Sequence, residues 1–174
     1  MTGIKITKAA DAWPADWHRL ARIIGPVGGR LRDYWWAVEG VTWKVPIGWL
    51  FADAPPRPGS RRWKYEQSLV TRDGVTVAAR PGFLPEFADV VSVDWSALYG
   101  VAADPTGDPH LLADLDGLGW FAPPAAFPPA VGVAIRSVDC AYWELFARDA
   151  ELVTTVHRHA RDVPGLVVER LPAG

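Results

Sequence analysis

Val131-Gly132-Val133-Ala134-Ile135-Arg136-Ser137-Val138 and Ala141-Tyr142-Trp143-Glu144-Leu145-Phe146 flank the dipeptide Asp139-Cys140. Two runs dominated by β-branched and aromatic residues on either side of a short polar break predict a β-hairpin. Just beyond it, Asp149 stands where a helix N-cap is needed. The apolar positions Leu152, Val153, Val156 and Ala160 then recur at helical spacing until Pro164-Gly165 stops the run. Leu166-Val167-Val168-Glu169-Arg170-Leu171 closes as a strand. The C-terminal part therefore reads hairpin, helix, strand, which predicts an α+β fold: a mostly antiparallel sheet with two or three short helices packed on it.

Working upstream, Asp73-Gly74 is the sharpest local signal, because both residues take positive φ at little cost. It separates a strand-like Arg61 to Thr71, with Trp63, Tyr65, Gln67 and Leu69 on one face, from Val75 to Arg80. Pro14 to Ile24 has apolar residues along one helical face and ends at Gly25-Pro26, so a short amphipathic helix is expected. From Leu31 to Phe51, aromatic and β-branched residues punctuated by Gly40, Pro46 and Gly48 predict two short strands. Glu86 to Ser96 reads as a helical turn running into a strand. Ala102 to Gly119, rich in Asp, Gly and Pro, reads as an exposed excursion carrying one helical turn at His110 to Leu115.

The chain has 174 residues, 49 % apolar and 22 % charged, enough for one domain with a real core over residues 1–174. Cys140 is the lone cysteine, so an internal disulfide and two-cysteine zinc sites are excluded and a reducing cytoplasm fits. Met1 to Lys8 lacks the apolar run of an export signal. The uncharged stretch Gly117 to Ile135 approaches membrane-spanning length, but Pro123, Pro124, Pro128 and Pro129 break it as a helix. No membrane association is expected.

No short motif announces chemistry. His157 and His159 are two apart, about 200° around a helix, so they do not share a metal, and with Arg158 and Arg161 they suit the helix C-terminus instead. His18 and His110 are isolated, and Cys140 has only Arg136 and Arg148 nearby in sequence. Gly25 to Arg30 is glycine-rich without the residues of a phosphate cradle, and the aspartates between Asp104 and Asp116 lack the spacing of a calcium loop. No metal, cofactor or catalytic residue is assigned.

Charge is regional. Net charge is −2, which argues against a wholly basic nucleic-acid surface, and no nucleic-acid partner is expected. Up to Phe87 there are 13 basic and 8 acidic residues; from Ala88 there are 5 and 12. No Lys or Arg occurs between Arg80 and Arg136, an interval holding Glu86, Asp89, Asp94, Asp104, Asp108, Asp114 and Asp116. The plain reading is a solvated face. The functional one is an acidic surface that steers a basic protein partner, with Asp104, Asp108, Asp114, Asp116 and Trp120 as the contact residues.

The ten tryptophans allow a parallel choice. They build the core, or some of them form a platform for a sugar or line a pocket, of which Trp35, Trp36, Trp43 and Trp49 are the candidates. Such a pocket, with Asp or Glu as general acid and base, would belong to a small enzyme of secondary metabolism.

Val138 to Phe146, the helix from Asp149 through His159, and the strand Val167-Val168-Glu169 together resemble the ending of small actinobacterial immunity proteins of polymorphic toxin systems. The resemblance covers about a quarter of the chain, and Cys140 stands where a glycine is expected. It implies a cytoplasmic, cofactor-free protein that binds a cognate toxin and occludes its active site. It carries no site residues over, and the oligomeric state stays open.

Overall fold

The computed structural model describes residues 1–9, 20–39, 54–89, 96–119, 122–138 and 141–172. The C-terminal hairpin forms as β6 (Val131–Val138) and β7 (Tyr142–Ala147), in register from Val138↔Tyr142 to Val133↔Ala147. Consecutive residues of both strands are apolar, Ala134 and Ile135 on one and Leu145 and Phe146 on the other, so each strand supplies side chains to both faces. Asp149 then caps the longest described helix, Ala150–Asp162, accepting from the backbone N–H groups of Glu151 (2.9 Å) and Leu152 (3.3 Å). Its buried stripe is Leu152, Val153, Val156 and Ala160, and Leu166–Leu171 follows as β8.

Upstream lie β1 (Thr2–Lys8), α1 (Leu20–Ile24), β2 (Trp35–Glu39), α2 (Arg61–Gln67), β3 (Leu69–Arg72), β4 (Val75–Ala78), α3 (Phe83–Phe87), β5 (Ser96–Val101) and α4 (Pro109–Asp116). The capped C-terminal helix is α5. The eight strands form one sheet in the order β3-β4-β2-β5-β6-β7-β1-β8. Every neighbouring pair is antiparallel. Among the described residues five helices pack on it, where two or three were anticipated.

Both faces are covered. On one, Ile4, Ile6, Trp36, Leu98, Ile135, Trp143 and Leu145 pack under α1, α3 and α5, joined by Tyr65 of α2. On the other, Val77, Tyr99, Val101, Ala134 and Phe146 pack under Leu112 and Leu115 of α4 and under Phe127. Each large side chain so buried stabilises the fold by about 1.5–3 kcal/mol before entropy is counted.

One expectation is corrected. Residues 61–67 are helical rather than extended, because Ser60 caps the segment by accepting from Trp63 N–H at 3.2 Å and Arg62 reaches Glu66 one turn on at 2.8 Å. The alternation of Trp63 and Tyr65 misleads here: only Tyr65 is buried, against Phe83 and Phe87 at 5.5 and 5.2 Å between ring centroids. The N-terminal segment, to which the sequence reading assigned no element, forms an interior strand one place from the sheet edge. β1 inserts between β7 and β8, pairing Ile4 with Leu145 on one side and Arg170 on the other.

The Asp73-Gly74 turn is as expected, with φ of 47° and 87°. The predicted helix from Pro14 is described only from Leu20, and it passes into a 3-10 turn at Gly25–Val27. The second strand expected before Phe51 and the turn residue Cys140 lie outside the described residues, as does His18. Among the described residues no helix is long and apolar enough to cross a membrane.

Candidate functional site

The excursion between β5 and β6 is built onto the sheet by two polar anchors. Tyr99, on β5, donates its hydroxyl to the Gly119 carbonyl at 2.7 Å. Burial pushes the Tyr99 pKa up to about 12, with Arg136 opposing and Glu39 adding to the rise, so the phenol stays a donor at neutral pH. Arg136, on β6, is 6 % exposed. Its guanidinium donates to the Ala122 carbonyl at 2.7 Å and to Glu144 Oε2, directly opposite on β7, at 2.6 Å. It also lies 4.9 Å from the Phe146 ring centre. Residues 119 and 122 are thus tied to the sheet on either side of Trp120 and Phe121, which lie outside the described residues. Phe127 fixes the far end of the loop by packing edge-on to Tyr99 at 5.6 Å and Phe146 at 6.1 Å.

Between this pinned loop and α4 runs an open groove of about 600 Å³, whose walls include Asp114, Leu118, Ala122, Pro123, Phe127 and Pro128. Of the four candidate aspartates, Asp114 alone lines it. Asp104 accepts from the Thr106 N–H and hydroxyl at 2.9 and 2.7 Å and starts a 3-10 turn. Asp108 caps α4, accepting from the N–H groups of His110 (3.1 Å) and Leu111 (3.0 Å). Each of these carboxylates has a second oxygen outside its cap contacts. Asp114 and Asp116 stand on α4 itself, and the Asp116 carboxylate leans over Gly74 of the β3–β4 turn.

All four aspartates are exposed, and none meets a cation among the described residues. The rest of the acidic interval behaves differently. Glu86 is paired with Arg80, six residues before it, and Asp89 with Arg61 at 2.5 Å, across the charge divide at Phe87. Asp94 lies outside the described residues.

The tryptophan candidates separate. Trp36 is fully buried in the core under α1, α3 and α5, whereas its neighbour Trp35 is half-buried against the opposite cluster. Adjacent strand residues point to opposite faces, so one pocket cannot be walled by both. Trp43 and Trp49 lie outside the described residues. His157 and His159 also diverge, as their spacing requires. His159 Nε2 donates to the Arg22 carbonyl of α1 at 2.7 Å, while His157 faces β8. Among the described residues there is no cluster of three or more His, Cys, Asp or Glu side chains able to hold a metal.

Sequence reasoning gave Tyr99, Arg136 and Glu144 no role in anchoring the loop. Arg136 did carry a signal, as the one charge inside the run Val131–Val138 and the first cation after Arg80. Comparison of the chain with protein-family models, curated proteins and solved structures found no match.

Proposed function

We propose that this protein is a binding module that neutralises a cognate protein toxin by laying its acidic excursion, residues 104–120, over the toxin's active site. The observation that carries this reading is the set Asp104, Asp108, Asp114 and Asp116: four exposed carboxylates without cationic partners among the described residues, one of which, Asp114, lines a groove with an anchored wall. Unscreened like charge attracts a basic surface from a distance, and the apolar groove floor then supplies the contact that holds it. The reading needs no cofactor and places the protein in a reducing cytoplasm. A basic toxin surface bearing an apolar side chain at its centre matches this arrangement, with Trp120 as the aromatic anchor on this side.

The test uses the product of the adjacent gene as partner. Asp108→Lys, Asp114→Lys and Asp116→Lys together should slow association at least ~10-fold at low salt and flatten its salt dependence, since steering moves on-rates over several decades. Dissociation should change less. On-rates equal to wild type at low salt would refute the acidic surface as the docking site.

A further inference from the structure

On the opposite face of the sheet, α5 and β8 enclose an open cavity of about 340 Å³ lined by Thr154, His157, Arg158, Arg161, Asp162 and Arg170. Residues 154, 157, 158 and 161 fall at i, i+3, i+4 and i+7, which is one stripe of the helix. Leu152, Val153, Val156 and Ala160 form the buried stripe beside it. Across the cavity, Arg170 projects from β8 on the side from which Leu166 and Val168 pack into the core. Three guanidiniums therefore share one small space with a single carboxylate. Among the described residues none of the three has an ion-pair or hydrogen-bond partner, unlike Arg30, Arg61, Arg62, Arg80 and Arg136.

The helix dipole accounts for Arg161, in the last turn of α5, and in part for Arg158. It does not account for Arg170, which a strand holds toward the same cavity. We infer that this cavity binds a diphosphate group, free or carried on a small molecule, through Arg158, Arg161 and Arg170. Planar guanidinium forks match pairs of phosphate oxygens, and three of them suit more than one phosphate. The Thr154 hydroxyl already donates to the Ala150 carbonyl at 2.9 Å, so the arginines and His157 are the donors available. The charged groups facing His157 are Arg161 on its own helix and Arg170 on β8, with Arg158 and Asp162 on the remaining wall. Burial first, then Arg170 and Arg161, hold its imidazole below the ordinary value. A bound anion offsets those two cations and raises it.

Calorimetry at fixed ionic strength, with sodium pyrophosphate, sodium sulfate and ADP as probes of the full chain, tests this. Pyrophosphate should bind more tightly than sulfate, and Arg158→Gln, Arg161→Gln or Arg170→Gln should each weaken it by about tenfold or more, as expected for a lost charge-assisted hydrogen bond. ADP tighter than pyrophosphate makes the source a nucleotide; pyrophosphate at least as tight makes it the free ion or another carrier. In the NMR titration of His157, pyrophosphate should move the imidazole midpoint upward. Pyrophosphate no tighter than sulfate, affinity untouched in the triple Gln variant, an unmoved His157 midpoint, or binding of an oligonucleotide without binding of pyrophosphate would each overturn the assignment. None of these outcomes bears on the acidic excursion, which lies across the sheet.

Discussion

The Arg136–Glu144 pair is where stability and the candidate site meet. The two side chains are 8 % and 16 % exposed, 2.6 Å apart, and cross-strand neighbours. Removing one partner of a buried pair strands the other's charge and costs about 3–5 kcal/mol. Glu144→Gln should therefore destabilise by about 3 kcal/mol, the lower end because Glu144 retains some contact with water, and lower the melting temperature by roughly 6–12 °C in a chain of this length. Arg136→Met should cost as much or more, because the Ala122 carbonyl also loses its donor. Replacing both, Arg136→Met with Glu144→Gln, removes both charges together, so the double variant should be more stable than either single one. It should still lack the tether at residue 122, so the groove wall loosens and the partner complex dissociates faster. Urea denaturation of the four proteins, read as midpoints at constant slope, measures the coupling. Additive losses in the double variant, or a Glu144→Gln loss under about 1 kcal/mol, would refute the claim that this is a coupled buried pair.

Other outcomes follow from single contacts. Tyr99→Phe removes the bond to Gly119 and should cost about 1 kcal/mol in chemical denaturation. In alkaline spectrophotometric titration, Tyr65 and Tyr99 should ionise last, since burial raises both. Gly74→Val places a β-branched residue at φ of 87°, with its Cβ 3.3 Å from the Asp116 carboxylate. A loss of roughly 1–3 kcal/mol is expected, seen as a lower denaturation midpoint. Gly3→Ala would set a Cβ 2.4 Å from the Phe146 ring and should cost about 1–3 kcal/mol by overpacking. For His157, a depressed folded-state pKa means that the unfolded chain binds the proton more readily. Its share of stability is present above the unfolded value and is lost as pH falls through the folded one. Thermal melts of His157→Gln between about pH 7 and 5 should show a flatter decline than wild type, given an ordinary histidine pKa of about 6.5.

Where local chemistry sufficed, the sequence was readable. Asp73-Gly74 set a turn because of the φ values it tolerates, and Asp149 and Pro164-Gly165 marked the ends of α5 because capping and chain-breaking act within a few residues. Residues 61–67 misread because alternation of Trp63 and Tyr65 fits a strand as well as it fits nothing in particular. The Ser60 cap and the Arg62–Glu66 pair decide the matter, and α3 supplies the aromatic rings that make burying Tyr65 favourable. At the candidate site, the four aspartates were legible as a run without cations. That Asp89 leaves the set was not, because Arg61 reaches it only through the fold, while Glu86 meets Arg80 across the local turn at Gly82.

By itself, the order of residues determined the α+β class, the capped C-terminal helix between a hairpin and a strand, and a middle segment that is acidic because no Lys or Arg occurs in it. Those properties depend on backbone preferences and on neighbours a few positions away. Tertiary structure decided the placement of β1 between β7 and β8, the Arg136 tether beneath the groove, and the meeting of Arg170 with Arg158 and Arg161. Each of those joins residues far apart in the chain, and such pairings are selected by the burial of the whole sheet rather than by any local preference.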